Sequence, residues 1–223
     1  MATIANEVPT LTHGDNLTQK QFLSLWETLP EYKYAELIGG VVYMPSPLSI
    51  EHGEAEASVC YWLEHYATNT PGLKVGGNVT WLMLKDAPQP DLYLRVLPEF
   101  GGPSRVKGKY LVGAPEFIAE MCVSSTSYDL HQKLNLYQAA GVKEYMTVLL
   151  KGPEVRWHRL VGRKYKCMRE QEGIYRSVIF PGLWLDAAAL LKDNMLRVIE
   201  VLERGLQTPA HDAFVKELAS RRS

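Results

Sequence analysis

A chain of 223 residues, 46% hydrophobic and 22% charged, can bury the core of one large domain, which excludes the disordered and fibrous classes. A formal net charge of −1 argues against a dedicated nucleic-acid binder, although a nuclease needs only a local basic surface. Cys60, Cys122 and Cys167, far apart, odd in number and without zinc-like spacing, suggest reduced thiols rather than a disulfide framework, residues 1–7 lack a secretory leader, and no run nears the ~18 apolar residues of a bilayer span, so a cytoplasmic protein with no membrane partner is expected.

In chain order, residues 1–16 are polar and irregular and read as a flexible arm. Leu17-Thr18 opens a short amphipathic helix with Phe22, Leu25 and Trp26 on one face, stopped near Pro30. Strands over 34–38 and 41–44 flank Gly39-Gly40, a two-residue hairpin signal, and Pro45-Ser46-Pro47 breaks the second. A helix is predicted over about 50–67 with Ala55, Val59, Trp62 and Tyr66 inward, followed by strands over 73–75, 79–84 and 90–94. The glycine-rich stretch 101–113, with Arg105, Lys107 and Lys109, reads as a mobile basic loop. A strand over 116–123, a helix over about 128–140 and a strand over 144–150 imply a parallel crossover. Segments 154–160, 164–169 and 177–180 read as an antiparallel meander, and the chain then turns helical over about 186–204 and 213–221. The expectation is one α/β domain over 17–190 with a helical extension over 191–223.

Two carboxylates stand where carboxylates are costly. Asp91 opens the run Leu92-Tyr93-Leu94, and Glu120 interrupts Phe117-Ile118-Ala119 and Met121-Cys122-Val123. The bland alternatives are a solvated strand-start aspartate and an edge-strand glutamate. Lys133 is the third oddity. At ~100° per residue it projects from the apolar arc of Leu130, Leu134, Leu136, Tyr137 and Ala140, so it either snorkels or meets a carboxylate. Following directly on the Glu120 strand, it can fold back over that strand's C-terminal end, where α/β sheets gather their ligands. Together, Asp91 and Glu120, assisted by the Met121 carbonyl, would suit Mg²⁺ or Mn²⁺. Lys133 would orient water or steady developing charge on a phosphate. The chemistry expected is metal-assisted hydrolysis of a phosphodiester.

The run Tyr34 through Pro47 followed by Glu51-His52, then Pro90-Asp91-Leu92, Val112 through Glu116, the Glu120 strand with Ser124-Ser125-Thr126, Asp129 to Lys133, Tyr137 through Tyr145, and Pro181-Gly182-Leu183-Trp184-Leu185 resemble the Uma-two family of putative restriction endonucleases across about 18–190. That resemblance implies the PD-(D/E)xK nuclease superfamily and a restriction-endonuclease-like mixed β-sheet flanked by helices. It matches Asp91 and Glu120 to the metal-binding acids, Glu36 to the N-terminal acidic position and Lys133 to the helix-borne lysine. It implies DNA as partner, a divalent metal and no small-molecule cofactor. The superfamily's lysine two residues after the glutamate is Cys122 here, the usual Asp-Gly of the first hairpin is Gly39-Gly40, and Leu149-Leu150 replace an aspartate expected after the Tyr145 strand.

Weaker candidates stay open at this level. His52, beside Glu51, Glu54 and Glu56, reads first as a surface histidine and second as a site residue. Cys122 reads as a small core residue rather than a nucleophile. Arg156, His158, Arg159, Arg163, Lys164 and Lys166 make either a solvated strand face or a phosphate-backbone contact. Met195, Val198, Ile199 and Leu202 form a stripe that packs inward or joins two copies as a homodimer. The leading function is a metal-dependent endonuclease acting on DNA. The alternatives are a catalytically inactive nuclease fold serving as a DNA-binding or protein-interaction module, and a small-molecule hydrolase.

Overall fold

The computed structural model describes residues 10–29, 34–44, 49–122 and 128–222, without the side chains of 128–130. The expected helix stop at Pro30, the Pro45-Ser46-Pro47 break, Val123, the Ser124-Ser125-Thr126 motif, the Asp129 side chain and most of the N-terminal arm lie outside the described residues.

A six-stranded mixed sheet carries the architecture. Its strands are β3 (Leu73–Gly76), β5 (Leu92–Val96), β8 (Phe117–Cys122), β9 (Glu144–Leu149), β10 (Glu154–Val161) and β11 (Lys164–Cys167), in the order β11-β10-β9-β8-β5-β3. β8 and β9 run parallel, as the predicted crossover requires, and every other pair in this sheet is antiparallel. The two central strands are buried along their whole length, which matches their continuous apolar sequence and makes Glu120 a core residue rather than an edge one.

Helices α2 (Ile50–Thr68), α5 (Met195–Leu206) and α6 (Pro209–Arg221) contribute Val59, Trp62, Leu63, Tyr66, Val198, Leu202 and Leu218 to the principal core, beside Phe117, Met146 and Trp157 of the sheet. Ser49 caps α2 by accepting from the His52 N–H. The Met195–Ile199–Leu202 stripe packs into this core with Val198, so its apolar face is spent on folding. The opposite sheet face receives α3 (Leu134–Ala140), which buries Leu136 and Tyr137 against Ile118 and Tyr145. α3 is entered through a π-helical turn, Tyr128–Lys133, not the uniform α-helix expected from residue 128.

The N-terminal hairpin, β1 (Glu36–Ile38) and β2 (Val41–Tyr43), turns on Gly39 and Gly40 at φ 62° and 79°. Both central residues thus sit in the left-handed region that two-residue hairpins need. Leu37 bridges Ala87 by paired backbone hydrogen bonds, and Asp86 accepts from the Gly40 N–H at 3.3 Å. The hairpin is thereby tied to the segment leading into Asp91, behind a smaller core of Phe22, Leu37 and Val42 shared with α1 (Gln19–Trp26).

Three further sequence expectations are corrected. Residues 101–113 are not a loose loop: β6 (Arg105–Lys107) and β7 (Tyr110–Val112) form a hairpin, and β7 pairs in parallel with the short β4 (Trp81–Leu82). Gly108 supplies the positive φ of its turn, and Trp81 donates to the Gly113 carbonyl. Residues 177–180 are not a strand. The partner of β13 (Trp184–Asp186) is instead β12 (Ile174–Arg176), in a separate two-stranded ribbon. The helix expected from residue 186 is broken into α4 (Ala187–Leu190) and α5, with Asn194 capping the second. No helix among the described residues is long and apolar enough to cross a membrane.

Candidate active site

Glu36, Asp91, Glu120 and Lys133 are distant in sequence, and the fold brings them together. Each is delivered by a different element, because the hairpin, the start of β5, the middle of the sheet and the π turn all meet at the C-terminal end of β8. Lys133 is the hub. Its Nζ lies 3.1 Å from Glu120 Oε1, 3.0 Å from Glu120 Oε2 and 3.2 Å from Glu36 Oε1. Tyr137 donates its hydroxyl to Glu120 Oε1 at 2.7 Å. Glu36 Oε1 also accepts from the Gln89 N–H at 2.6 Å, and Tyr43 of the same hairpin donates to Gln132 of the π turn at 2.9 Å. The lysine therefore does not snorkel to solvent; it forms a buried ion pair with two carboxylates.

Asp91 is held differently. Its Oδ2 accepts from the Met121 N–H at 2.7 Å and lies 3.3 Å from His52 Nε2. Of the four acid and lysine side chains it is the most open, 16% exposed against 3% for Glu120. The N–H and C=O of one strand residue point to the same side. Since the Glu116 and Cys122 carbonyls accept from the β9 side, the intervening Met121 carbonyl is directed toward β5 and Asp91, while its side chain stays in the principal core.

His52 corrects the surface reading. It is buried, and its Nδ1 lies 3.8 Å from Glu56 Oε2, which Asn78 also engages at 2.7 Å through Oε1. The signal was present: His52 begins the same i, i+3, i+7 stripe as Ala55, Val59, Trp62 and Tyr66. Tyr137 was legible too, one helical turn beyond Lys133 and so on its face. Cys122 is the small buried residue expected, against Leu149. No disulfide joins Cys60, Cys122 and Cys167.

The electrostatics follow from burial and from these pairs. Burial pushes the Glu36 carboxyl up, against the pull of Lys133 and the Gln89 N–H, and the Asp91 charge adds to the rise. Burial and Asp91 likewise push Glu56 up. Burial works to raise Asp91 as well, yet His52, Lys133 and the Met121 N–H together hold it below the usual carboxylate range. Burial opposes the Lys133 charge, but Glu120 and Glu36 hold that ammonium well above its ordinary value. The hydrogen bond to Asp91 raises His52 against desolvation.

Four carboxylates, Glu36, Glu56, Asp91 and Glu120, thus meet two basic groups, Lys133 and His52, and the surplus is negative. Among the described residues no three His, Cys, Asp or Glu side chains converge as a ready-made metal cage. The donor set instead fits a hard cation of the Mg²⁺ kind, which takes one or two carboxylates and completes its shell from water and substrate phosphate.

The basic candidates on β10 and β11 divide between the two sheet faces. Arg156 and His158 share the face of Glu120 through their pairing with Thr147 and Tyr145, and Arg156 is engaged by Glu154 at 2.7 Å. Arg159 and Lys166 lie on the opposite face.

Comparison with curated proteins gives no match. Among solved structures, the fold is similar to that of a putative nuclease belonging to DUF820 from Anabaena variabilis ATCC 29413, with a TM-score of 0.62 at 14% identity over 79% of this chain and 98% of that one. Residues 20–188 match the family described as Uma2, putative restriction endonuclease, and a match over that much of the sequence establishes that this chain belongs to it.

Proposed function

We propose that the protein is a metal-dependent endonuclease that hydrolyses DNA phosphodiester bonds. The observation that carries this reading is the convergence of Glu36, Asp91, Glu120 and Lys133 at one end of the central strand. Family membership supports a nuclease, and DNA is the substrate such a family implies.

Asp91 and Glu120, with the Met121 carbonyl, would hold Mg²⁺ or Mn²⁺. When bound, such an ion lowers the pKa of water and polarises a phosphoryl oxygen. The rest falls to the chain. Water attacks phosphorus as the bond to the leaving sugar oxygen breaks, the attacking water giving up a proton to solvent and the leaving oxygen taking one from it. Lys133 stands beside the acids to orient that water and to steady charge growing on the phosphate. Glu36 and Tyr137 fix the ammonium and the Glu120 carboxylate so that neither must reorganise during the step. Cys122 occupies the place of the superfamily's strand lysine, and Lys133 supplies the ammonium from the helix side instead.

The test is calorimetric titration of Mn²⁺ into wild type, Asp91→Ala and Glu120→Ala, with plasmid nicking assayed on the same preparations. Both variants are expected to lose metal uptake and to nick at least about a hundredfold more slowly, the upper end of what losing even an outer-shell partner costs. Metal binding without nicking would favour the non-catalytic DNA-binding reading. A wild type that takes up no metal even with DNA present would sink the proposal.

His52 acts through Asp91. His52→Ala removes a partner that holds the Asp91 carboxyl low, so Asp91 should keep its proton to higher pH. The acidic limb of the nicking profile is expected to move upward, with about a tenfold loss of rate at its optimum. An unmoved limb would show that His52 merely packs.

A further inference from the structure

On the sheet face turned away from Glu120, β10, β11 and the turn into β12 line an open depression of about 320 Å³. Arg159, Lys166, Arg169 and Arg176 line it together with Gln171, and no carboxylate does. Arg159 and Lys166 are direct cross-strand partners, so two cations stand side by side on one face, an arrangement that is unfavourable without an anion between them. The Nε atoms of Arg159 and Arg176 are buried and reach no hydrogen-bond acceptor. The nearby acids offset this charge only in part, and neither closes on Arg159. Glu144, opposite Arg159 on β9, is taken up by Trp157, Ser177, Val178 and Ile179. Glu172 lies 3.8 Å from Arg176 but is 88% exposed. Arg176 itself is held over the Trp184 ring and donates to Gln171 at 2.9 Å, which aligns its fork without removing its charge.

The surrounding segment repeats the pattern. Residues 154–176 carry seven cations, Arg156, Arg159, Arg163, Lys164, Lys166, Arg169 and Arg176, against Glu154, Glu170 and Glu172, in a chain whose net charge is −1. We propose that this depression is a phosphate-binding site, separate from the acid cluster. Guanidinium forks match a tetrahedral oxyanion, and a multiply charged one answers the four cations around it. Because Arg159 pairs near the start of β9 and projects from the other face, a phosphate held there does not touch Asp91 or Glu120. The phosphate comes either from the backbone of bound DNA or from a free anion.

The experiment titrates inorganic phosphate into wild type, Arg159→Gln, Lys166→Gln and the charge-keeping Arg159→Lys. In parallel it measures binding of a short duplex of arbitrary sequence in EDTA across a salt series. Lys166 is exposed, so Lys166→Gln leaves folding intact and keeps the test decisive should Arg159→Gln unfold. Phosphate affinity is expected to fall at least about tenfold in both glutamine variants and less in Arg159→Lys. If the phosphate is that of DNA, each glutamine variant also weakens the duplex and flattens the log–log salt slope by about one. If the anion is free phosphate, duplex affinity stays level while phosphate binding falls. A wild type that binds phosphate no better than the glutamine variants, with equal duplex affinity, overturns the proposal. Phosphate uptake does not depend on cleavage, so failure of the nuclease reading would leave this result standing.

Discussion

Lys133→Met is expected to lower the unfolding free energy by about 3–5 kcal/mol near neutral pH and to abolish nicking. The ammonium is the cation shared by Glu120 and Glu36, both inside the protein, and removing it leaves two carboxylates facing each other across an apolar side chain. The penalty comes from the stranded charges more than from the loss of attraction.

Its pH dependence is also set. The Lys133 ammonium is raised by its partners, so its contribution is complete at neutral pH and declines only as pH rises past the ordinary lysine range. Asp91, held low, contributes stability that is present above the ordinary aspartate range and fades as pH falls below it. Glu36 runs the other way. Its raised carboxyl takes up a proton in the folded state first, so acidification relieves its buried charge. The loss caused by Lys133→Met should therefore shrink in mild acid, and adding Glu36→Gln should restore part of it at neutral pH. Denaturant unfolding of the single and double variants at both pH values measures this. A pH-independent loss with no rescue would show that the lysine matters only for its packing.

Glu144→Ala is the contrasting case. Glu144 is fully buried and accepts from Trp157 Nε1 at 3.1 Å, Ser177 Oγ at 2.8 Å, Val178 N at 2.9 Å and Ile179 N at 3.2 Å. Burial pushes its carboxyl up, while these four donors pull toward the charged form. The substitution strands four donors and releases residues 177–180 from the sheet, at an expected cost of about 4 kcal/mol. Yet Glu144 projects from the sheet face opposite Tyr145 and Glu120. Nicking measured well below the lowered melting temperature should therefore remain near wild type. Parallel loss of stability and activity in Glu144→Ala, or an unchanged melting temperature, would contradict this division of the molecule.

The sequence alone determined much of this. Local chemistry was enough for Gly39-Gly40 to place the hairpin, for the apolar runs around Glu120 and Glu144 to mark central strands, and for their spacing to imply a parallel crossover. The cost of burying a carboxylate or a lysine made Asp91, Glu120 and Lys133 conspicuous before any fold was known, and the motif resemblance added Glu36. Tertiary structure alone decided what short segments became. Arg105–Lys107 is exposed and unremarkable as sequence; it is a strand because Tyr110–Val112, tied to Trp81, offers it an edge to pair with. Residues 177–180 look like a strand, but the Glu144 carboxylate takes the Val178 and Ile179 N–H groups, and a backbone donor can be spent only once. His52 had the polarity of a surface residue and the spacing of a buried one. The choice fell to burial because Asp91, at the head of β5, arrives within 3.3 Å of its Nε2 as an acceptor. Which partner a polar group meets is a long-range fact, and one chain read in order holds no record of it.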